Sequence, residues 1–326
     1  MLKGPALVRG ALSFLATFAL ALALLTPLGA MDVILSPLLV AIALSATSIG
    51  ILVPVLRDTG QTRTPLGRFT MSGASAAEIG TISLLGVFFA GNQASAAVSA
   101  LLLAAVAVLA VLLLAALRYT LHWAPARRIL DRLDETSAQA RVRFAVMTFL
   151  AAAAVAMQFG FEGILGSFVA GIVVGIVVRH DRFEPVLRTK LEAIGFGLFV
   201  PVFFVASGLR FDLQSIKGWP EIERAGLFFA VLVAVHTIPT LLYRPFLTWR
   251  ECLASGLLQS TNLSFIVVAV AVGSELGHVR EMNATALILA GLTSALVLPT
   301  VASAVLPGAA ATSRDAEAKE LVPEAL

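Results

Sequence analysis

The chain has 326 residues, of which 59% are hydrophobic and 13% charged, and its mean hydropathy is +0.94. This composition excludes a soluble domain, and the net charge of +3 does not indicate nucleic-acid binding, because the basic residues lie in short loops between apolar runs. The single cysteine, Cys252, excludes an intramolecular disulfide, and no Cys/His cluster has the spacing of a metal site. We predict an all-α integral membrane protein in a lipid bilayer that is not an enzyme and has no cofactor.

Ten apolar segments follow one another along the chain, and each is predicted to form a transmembrane helix. They are residues 11–29, 33–56, 66–90, 94–117, 143–158, 163–178, 193–209, 225–243, 252–273 and 284–306. The first segment follows Lys3 and Arg9 in the way that a signal peptide would. Its apolar run is long for a signal peptide, however, and suits a retained span better.

The distribution of lysine and arginine predicts the orientation of the spans. If the ten spans alternate, 19 of the 23 basic residues fall on one side of the membrane and 4 on the other. The richer side is the cytoplasmic one by the positive-inside rule. We therefore predict a multi-pass protein of the cell (inner or plasma) membrane with both termini in the cytoplasm, where residues 307–326 form a short tail.

The second and ninth spans carry hydroxyl and amide side chains near their centres. These residues are Ser45, Thr47 and Ser48 in the second span, and Gln259, Ser260, Thr261, Asn262 and Ser264 in the ninth. Such side chains compete with the helical backbone for hydrogen bonds, and irregular backbone at this depth must be buried or line a polar cavity. We predict two interrupted helices; the alternative is two continuous helices whose hydroxyl groups bond to carbonyls of the preceding turn.

Glu78 lies near the middle of the third span, where no other side chain between Arg68 and Ala90 is ionisable. A charged side chain at bilayer depth costs about 2.5–3.5 kcal/mol on insertion scales, so such a residue indicates a function. The small residues from Ser72 to Gly80 allow an ion or another helix to approach closely. The alternative is a protonated carboxyl group that only links two helices by a hydrogen bond.

Spans 1–3 and spans 8–10 each place the interrupted helix in the middle of three. By the loop charges, the first triad starts inside and the second starts outside, as an inverted repeat requires. We therefore predict core repeats at about residues 11–92 and 224–306. In such a core Thr47 and Asn262 approach each other near mid-membrane, with Glu78 close by.

Four stretches, taken in order, resemble the monovalent cation:proton antiporter superfamily, in particular its bacterial sodium–proton and Kef-type group. They read ALSATSIGILVPVLRDTGQTRTPLGRFTMSGASAAEIGTISLL, FEGILGSFVAGIVVG, GLFVPVFFVASGLRFDL and WRECLASGLLQSTNLSFIVVAVA. The resemblance covers residues 10–306 and implies two bundles within a transmembrane domain at 1–306. One is the inverted-repeat core with two crossing interrupted helices; the other, with its linker at about 93–223, forms a homodimer interface.

The resemblance also implies roles for individual residues. Glu78 falls at the family's ion-binding aspartate and would bind the transported monovalent cation, which is the only metal expected. Thr47 and Ser48 fall at the first crossing, and Asn262 with its neighbour Ser264 at the second. His236 stands loosely where the family often has a lysine; the alternative is a neutral histidine hydrogen-bonded near the end of its span.

The chain departs from the family pattern in three ways. First, Ala77 stands where the family often has an acid or amide, and the acid that follows is Glu78 rather than an aspartate. Second, a histidine replaces the lysine. Third, we expect that two or three amino-terminal spans of the family are missing, either because Met1 is a late start or because the protein is shortened. Without those spans we expect a weak dimer or a monomer, with Gly171 and Gly175 in the interface bundle.

The predicted function is exchange of Na⁺ or K⁺ for protons through the single carboxylate Glu78. One carboxylate neutralises one proton or one monovalent cation at a time, so it can exchange them without leaving a bare anion in the membrane. Two alternatives remain open. One is a symporter of another substrate class built on the same crossed-helix plan, and the other is a truncated family member that does not transport.

Overall fold

The computed structural model describes residues 5–89, 139–158, 163–178, 184–210 and 218–306. Within these ranges the regular structure is helical and contains no strand. The predicted fourth span at 94–117, most of the linker that follows it and the tail at 307–326 lie outside the described residues.

The described helices follow the predicted spans, except that the helix over the seventh span begins nine residues early, at Glu184. They are α1 (Pro5–Ala30), α2 (Pro37–Ser45), α3 (Ile49–Asp58), α4 (Pro65–Phe89), α5 (Ala140–Gln158), α6 (Gly163–Val178), α7 (Glu184–Ile194), α8 (Val200–Arg210), α9 (Trp219–Thr237), α10 (Trp249–Gln259), α11 (Ser264–Glu275) and α12 (Glu281–Val305). A π-helical turn, Gly195–Phe199, joins α7 to α8, and a 3₁₀ turn, Pro239–Tyr243, follows α9.

Six stretches of the described residues are long and apolar enough to cross a membrane. They are Pro5–Ala30, Pro37–Asp58, Pro65–Phe89, Ala140–Gln158, Trp219–Tyr243 and Glu281–Val305. The pair α10 and α11, which is bent by 41°, is a seventh if it counts as one span. The predicted class, an all-α integral membrane protein, is confirmed, and the number of ten spans stays a prediction.

The chain divides into two compact units. The core unit comprises Met1–Thr81 and Leu209–Leu326, and the second unit comprises Ile82–Gly208. The core unit contains both predicted repeats except residues 82–92. The assignment of these segments as core repeats and of 93–223 as interface bundle and linker stays a prediction.

In the second unit, α5 packs against α6 and α7 around Ala145, Val173 and Val174. Gly171 and Gly175 do not contribute to that packing, because a Cβ atom at either position would have no described atom within 4 Å. This face of α6 is therefore unoccupied among the described residues. The predicted role of the two glycines in a homodimer stays a prediction.

Two sets of three spans run in opposite directions. The first triad is α1, the broken span α2–α3 and α4, and the second triad is α9, the broken span α10–α11 and α12. The Arg9 guanidinium, near the start of α1, donates to the carbonyl of Leu242 in the 3₁₀ turn after α9. Arg224, near the start of α9, donates to the carbonyl of Val33 after the end of α1, at 3.3 Å. Helices α1 and α9, which begin the two triads, are therefore antiparallel to each other. This is the arrangement that an inverted repeat requires.

One end of the core unit gathers the loops that are rich in arginine. An apolar cluster at this end joins the starts of α1, α4 and α10 to the end of α12, and it comprises Ala6, Leu66, Phe69, Tyr243, Leu247, Cys252, Ala254, Val305 and Leu306. Arg63 and Arg244 lie in the adjoining connections, and Arg250 is the second residue of α10. We call this the basic end. Loops that the charge count placed on one side of the membrane therefore lie together in the structure.

Candidate functional site

Both predicted interruptions are present in the helices of the core unit. Helix α2 ends at Ser45 and α3 begins at Ile49, while α10 ends at Gln259 and α11 begins at Ser264. Ala46 and Ser48 have extended backbone, with ψ values of 159° and 94°. The hydroxyl of Ser45 does bond to the carbonyl of Ala41, at 2.6 Å, but this bond does not keep the helix continuous. The alternative of two continuous helices is wrong.

The two breaks lie against each other and are joined by hydrogen bonds. The amide of Ser48 donates to the carbonyl of Thr261 at 2.7 Å, and the hydroxyl of Thr47 donates to the carbonyl of Gln259 at 2.9 Å. The amide of Leu263 donates to the hydroxyl of Ser48 at 3.4 Å. Each break thus satisfies backbone groups that the other leaves without a helical partner. The prediction that the two interruptions meet is confirmed.

The last carbonyls of α2 are satisfied by one side chain from the second break and one from α9. The Asn262 side-chain amide donates to the carbonyl of Ala43 at 2.7 Å. Nε2 of His236, which is buried on α9, lies 3.0 Å from the carbonyl of Leu44. A carbonyl oxygen can only accept, so Nε2 carries the proton of this bond. This contact matches the alternative of a hydrogen-bonded histidine, and a role of His236 in exchange stays a prediction.

Asn262 also presents an oxygen atom that has no partner. Its Oδ1 is buried and accepts no hydrogen bond from the described residues, while its Nδ2 bonds to Ala43. A buried polar atom without a partner is rare and costly, so it indicates a ligand or an ordered water. Oδ1 is a neutral oxygen donor of the kind that coordinates alkali and other hard cations.

Helix α12 holds the second break in place through two small residues that sequence reasoning missed. The hydroxyl of Ser294 accepts from the amide of Asn262 at 3.1 Å. A Cβ atom at Gly291 would lie only 2.9 Å from the carbonyl oxygen of Asn262, so only glycine allows this approach. The spacing of three residues, which puts both on one face of a helix, was the only signal in the sequence.

Glu78 lies on α4, the helix that runs beside α10. The hydroxyl of Thr70 donates to the hydroxyl of Ser255 at 2.8 Å, and Gly73 packs against the side chain of Gln259. The two helices therefore run in the same direction. Glu78 is five residues beyond Gly73, or about 7.5 Å along the helix axis in the direction in which α10 reaches its break.

The carboxyl group of Glu78 is half-buried and has no hydrogen-bond or ion-pair partner among the described residues. Ala77, the position of a second acid in the family pattern, is buried. Ser264 is half-buried and begins α11 immediately after the break. The structure thus joins Thr47, Ser48, Asn262 and His236 at the breaks and places Ser264 at their edge. Glu78 lies on the neighbouring helix α4, and its part in the site stays a prediction.

The crossing brings together two helix amino termini, at α3 and α11, and two carboxyl termini, at α2 and α10. Helix ends carry partial charges of about +0.5 and −0.5, so the four ends of the two broken spans largely offset one another. Among the described residues no three His, Cys, Asp or Glu side chains come together. A cation at the crossing would meet neutral oxygens, including Oδ1 of Asn262. Such a site suits a monovalent ion.

Comparison with known proteins gives several relatives of low identity. The chain is 25% identical to the "Probable Na(+)/H(+) antiporter 3" of Methanocaldococcus jannaschii, over 81% of this chain and 67% of that protein. It is 26% identical to the Arabidopsis thaliana "Cation/H(+) antiporter 19", over 78% of this chain and 32% of that protein. It is 27% identical to the Saccharomyces cerevisiae "K(+)/H(+) antiporter 1", over 59% of this chain and 22% of that protein.

The chain therefore spans from about a fifth to two thirds of the length of these three relatives. Their names agree on antiport with protons and differ in the cation. A family model describes the transmembrane part of the sodium/hydrogen exchangers and matches residues 2–307 of the 326 residues, a range that contains every described residue. On this match, the chain belongs to the sodium/hydrogen exchanger family of transmembrane proteins.

Proposed function

We propose that this protein exchanges a monovalent cation for protons across the cell membrane. The observation that carries the proposal is the contact between the two helix breaks, and it is supported by the acidic side chain Glu78 on α4, the helix beside α10. Interrupted spans that meet in a core of opposed triads are the arrangement in which secondary transporters bind ions. Family membership supports the same activity.

In the proposed exchange, Glu78 holds either the proton or the cation. A desolvated carboxyl group favours its protonated form, and a cation beside it favours the carboxylate, so the two ions compete for one group. Oδ1 of Asn262, the buried acceptor without a partner, supplies a neutral ligand to the cation. Thr47 and His236 keep the breaks open by bonding to backbone carbonyls, and Ser48 ties the two breaks together.

The transported cation is Na⁺ or K⁺ in this proposal, because the relatives' names include both. The basic end of the core unit faces the cytoplasm, as the positive-inside rule requires, so both termini lie on that side of the cell membrane. A homodimer formed through the second unit belongs to the proposal as well. Its support is the resemblance to the antiporters and the unoccupied face of α6 at Gly171 and Gly175.

The test is the substitution Glu78→Gln, which keeps the size of the side chain and its hydrogen bonding but removes its charge. Purified protein in proteoliposomes with an internal pH dye should give a cation-dependent pH change with Na⁺ or K⁺ added outside. Glu78→Gln should fold and lose this exchange, and Glu78→Asp should retain part of it with altered cation affinity. Glu223→Gln, a matched change at an exposed position outside the crossing, should exchange as the unchanged protein does.

Undiminished exchange by Glu78→Gln would refute the assignment of the site. A protein that transports an organic acid or an anion but gives no response to Na⁺ or K⁺ would refute antiport and support the symporter alternative. If correctly folded protein transports neither, the non-transporting alternative stands.

A further inference from the structure

A groove of about 290 Å³ opens on the core unit at its basic end, away from the two breaks. It lies between the last residues of α9, the 3₁₀ turn that follows them and the first half of α10. Its lining consists of Thr237, Thr240, Leu241, Trp249, Arg250, Cys252 and Leu253, and its walls are almost entirely carbon. The proposed exchange uses none of these residues.

The floor of the groove is fixed by close packing. A Cβ atom at Gly256 would lie 2.6 Å from Cα of Thr237, so α9 and α10 approach closely behind the groove. The hydroxyl of Thr240 donates to the carbonyl of Cys252 at 2.9 Å and ties the 3₁₀ turn to α10. The groove is therefore already formed, and a ligand could bind without the free-energy cost of opening it.

The rim of the groove is apolar and faces outward. Leu241 and Leu253 are each 40% exposed, and the adjacent Ile238 is 52% exposed. In a multi-pass membrane protein such a surface meets acyl chains rather than water. The hydroxyl of Thr237 is buried and lies against Gly256 at the floor of the groove, so it leaves the rim apolar.

The end of the groove nearest the arginine-rich loops carries positive charge. Arg250 is exposed and has no ion-pair partner among the described residues. Trp249 is 63% exposed, and the guanidinium of Arg244 lies 5.0 Å from the centre of its ring. Tryptophan marks the membrane–water interface, and basic side chains at that level attract anionic headgroups. The groove therefore runs from a cationic interfacial end into an apolar slot.

We propose that this groove binds an anionic phospholipid, with one acyl chain against Leu241 and Leu253 and the headgroup phosphate at Arg250. An apolar slot alone would accept any acyl chain, and it is the charge at Arg250 that selects an anionic lipid. The bound lipid would brace the 3₁₀ turn against α10, the helix that leads into the second break. The site is independent of the proposed exchange.

The first test is native mass spectrometry of the full chain released from detergent with phosphatidylglycerol or phosphatidylcholine. The unchanged protein should retain phosphatidylglycerol preferentially. Arg250→Gln should bind it about fivefold more weakly, as expected for the loss of one basic residue near a headgroup. Arg63→Gln removes the same charge at the same end but outside the groove, and it should bind as the unchanged protein does. Equal loss in the two variants would overturn the proposal.

The second test needs no change at Arg250. Phospholipids with brominated acyl chains quench tryptophan fluorescence on contact, and Trp249 lines the groove. Subtracting the signal of Trp249→Phe isolates this residue from the other two tryptophans. Brominated phosphatidylglycerol at a low mole fraction should quench Trp249 several-fold more than brominated phosphatidylcholine. Equal quenching by the two lipids would mean non-selective annular lipid and would overturn the proposal.

Discussion

Gly73 allows α4 to lie close to the end of α10, because Oε1 of Gln259 and the hydroxyl of Tyr243 occupy the space where its side chain would be. Nε2 of Gln259 donates to the hydroxyl of Ser255 at 3.0 Å, so Gln259 cannot move away without losing this bond. Together with the hydrogen bond between Thr70 and Ser255, this contact keeps the helix that carries Glu78 close to the end of α10.

Gly73→Ala should therefore lower stability by about 1–3 kcal/mol, which is the usual cost of overpacking a tight interior. The measurement is the fraction of protein that stays monodisperse in detergent after heating, followed over a range of temperatures. The control is Gly226→Ala on α9, where a Cβ atom would meet no other atom within 4 Å and alanine favours the helix. An equal loss in both variants would mean that the contact at Gly73 does not limit the packing.

The residues of the site differ in how far they could be predicted from the sequence. Glu78 and Asn262 stand out because an acid or an amide inside an apolar run is costly and therefore conspicuous. Gly291 and Ser294 do not, since small residues occur throughout membrane helices and nothing local shows which of them faces the break. Their role depends on which helix lies opposite, and that is decided by the fold.

At the level of the helices, the break in each interrupted span is stabilised by hydrogen bonds from the other span. Thr47 supplies the clearest case, because its hydroxyl donates to the carbonyl of Gln259, the last residue of α10, inside the buried crossing. Without this donor a carbonyl at membrane depth would have one partner fewer.

Thr47→Val keeps the shape of the side chain and removes that donor. It should lower thermal stability by about 1–3 kcal/mol, the cost of leaving a buried acceptor unsatisfied, and should slow exchange in proteoliposomes. The matched control is Thr26→Val, where the lost bond runs to Leu22 within the exposed end of α1. Its effect should be a few tenths of a kcal/mol. If Thr47→Val is as stable as this control, the bond between the breaks is not what holds the crossing.

Element boundaries were predictable where a local signal exists. The polar runs in the second and ninth spans predicted breaks, and the breaks occur at Ala46–Ser48 and Ser260–Leu263. The 3₁₀ turn after α9 was not predicted, although Pro239 marks it, because the apolar run simply continues to Tyr243. The π-helical turn at Gly195–Phe199 has no comparable signal.

For the whole molecule, the sequence and the structure agree on which loops lie together at one end, and they do so through independent observations. The count of basic residues groups the loops by charge, and the apolar cluster from Ala6 to Leu306 groups the same loops by contact. The contacts of Arg9 and Arg224 add that the two triads are opposed. In the proposed exchange the ion site opens alternately to the two sides, so the number of charges moved per cycle is a property of the whole cycle.

The proposed exchange through Glu78 alone predicts an electroneutral cycle, because one monovalent cation replaces one proton on one carboxylate. With Na⁺ as the exchanged ion, the rate should not change when a potential is imposed with valinomycin and a potassium gradient. Exchange should also fall at low pH, since the carboxyl group must lose its proton before it binds the cation.

A rate that follows the imposed potential would contradict the one-for-one stoichiometry while leaving Glu78 as the site. It would require a second titrating group within the core unit. His236→Gln is then the first variant to measure, because this side chain lies at the breaks and its Nε2 bonds to Leu44, a contact that a glutamine amide can replace. Restoration of potential-independent exchange in His236→Gln would identify His236 as that group.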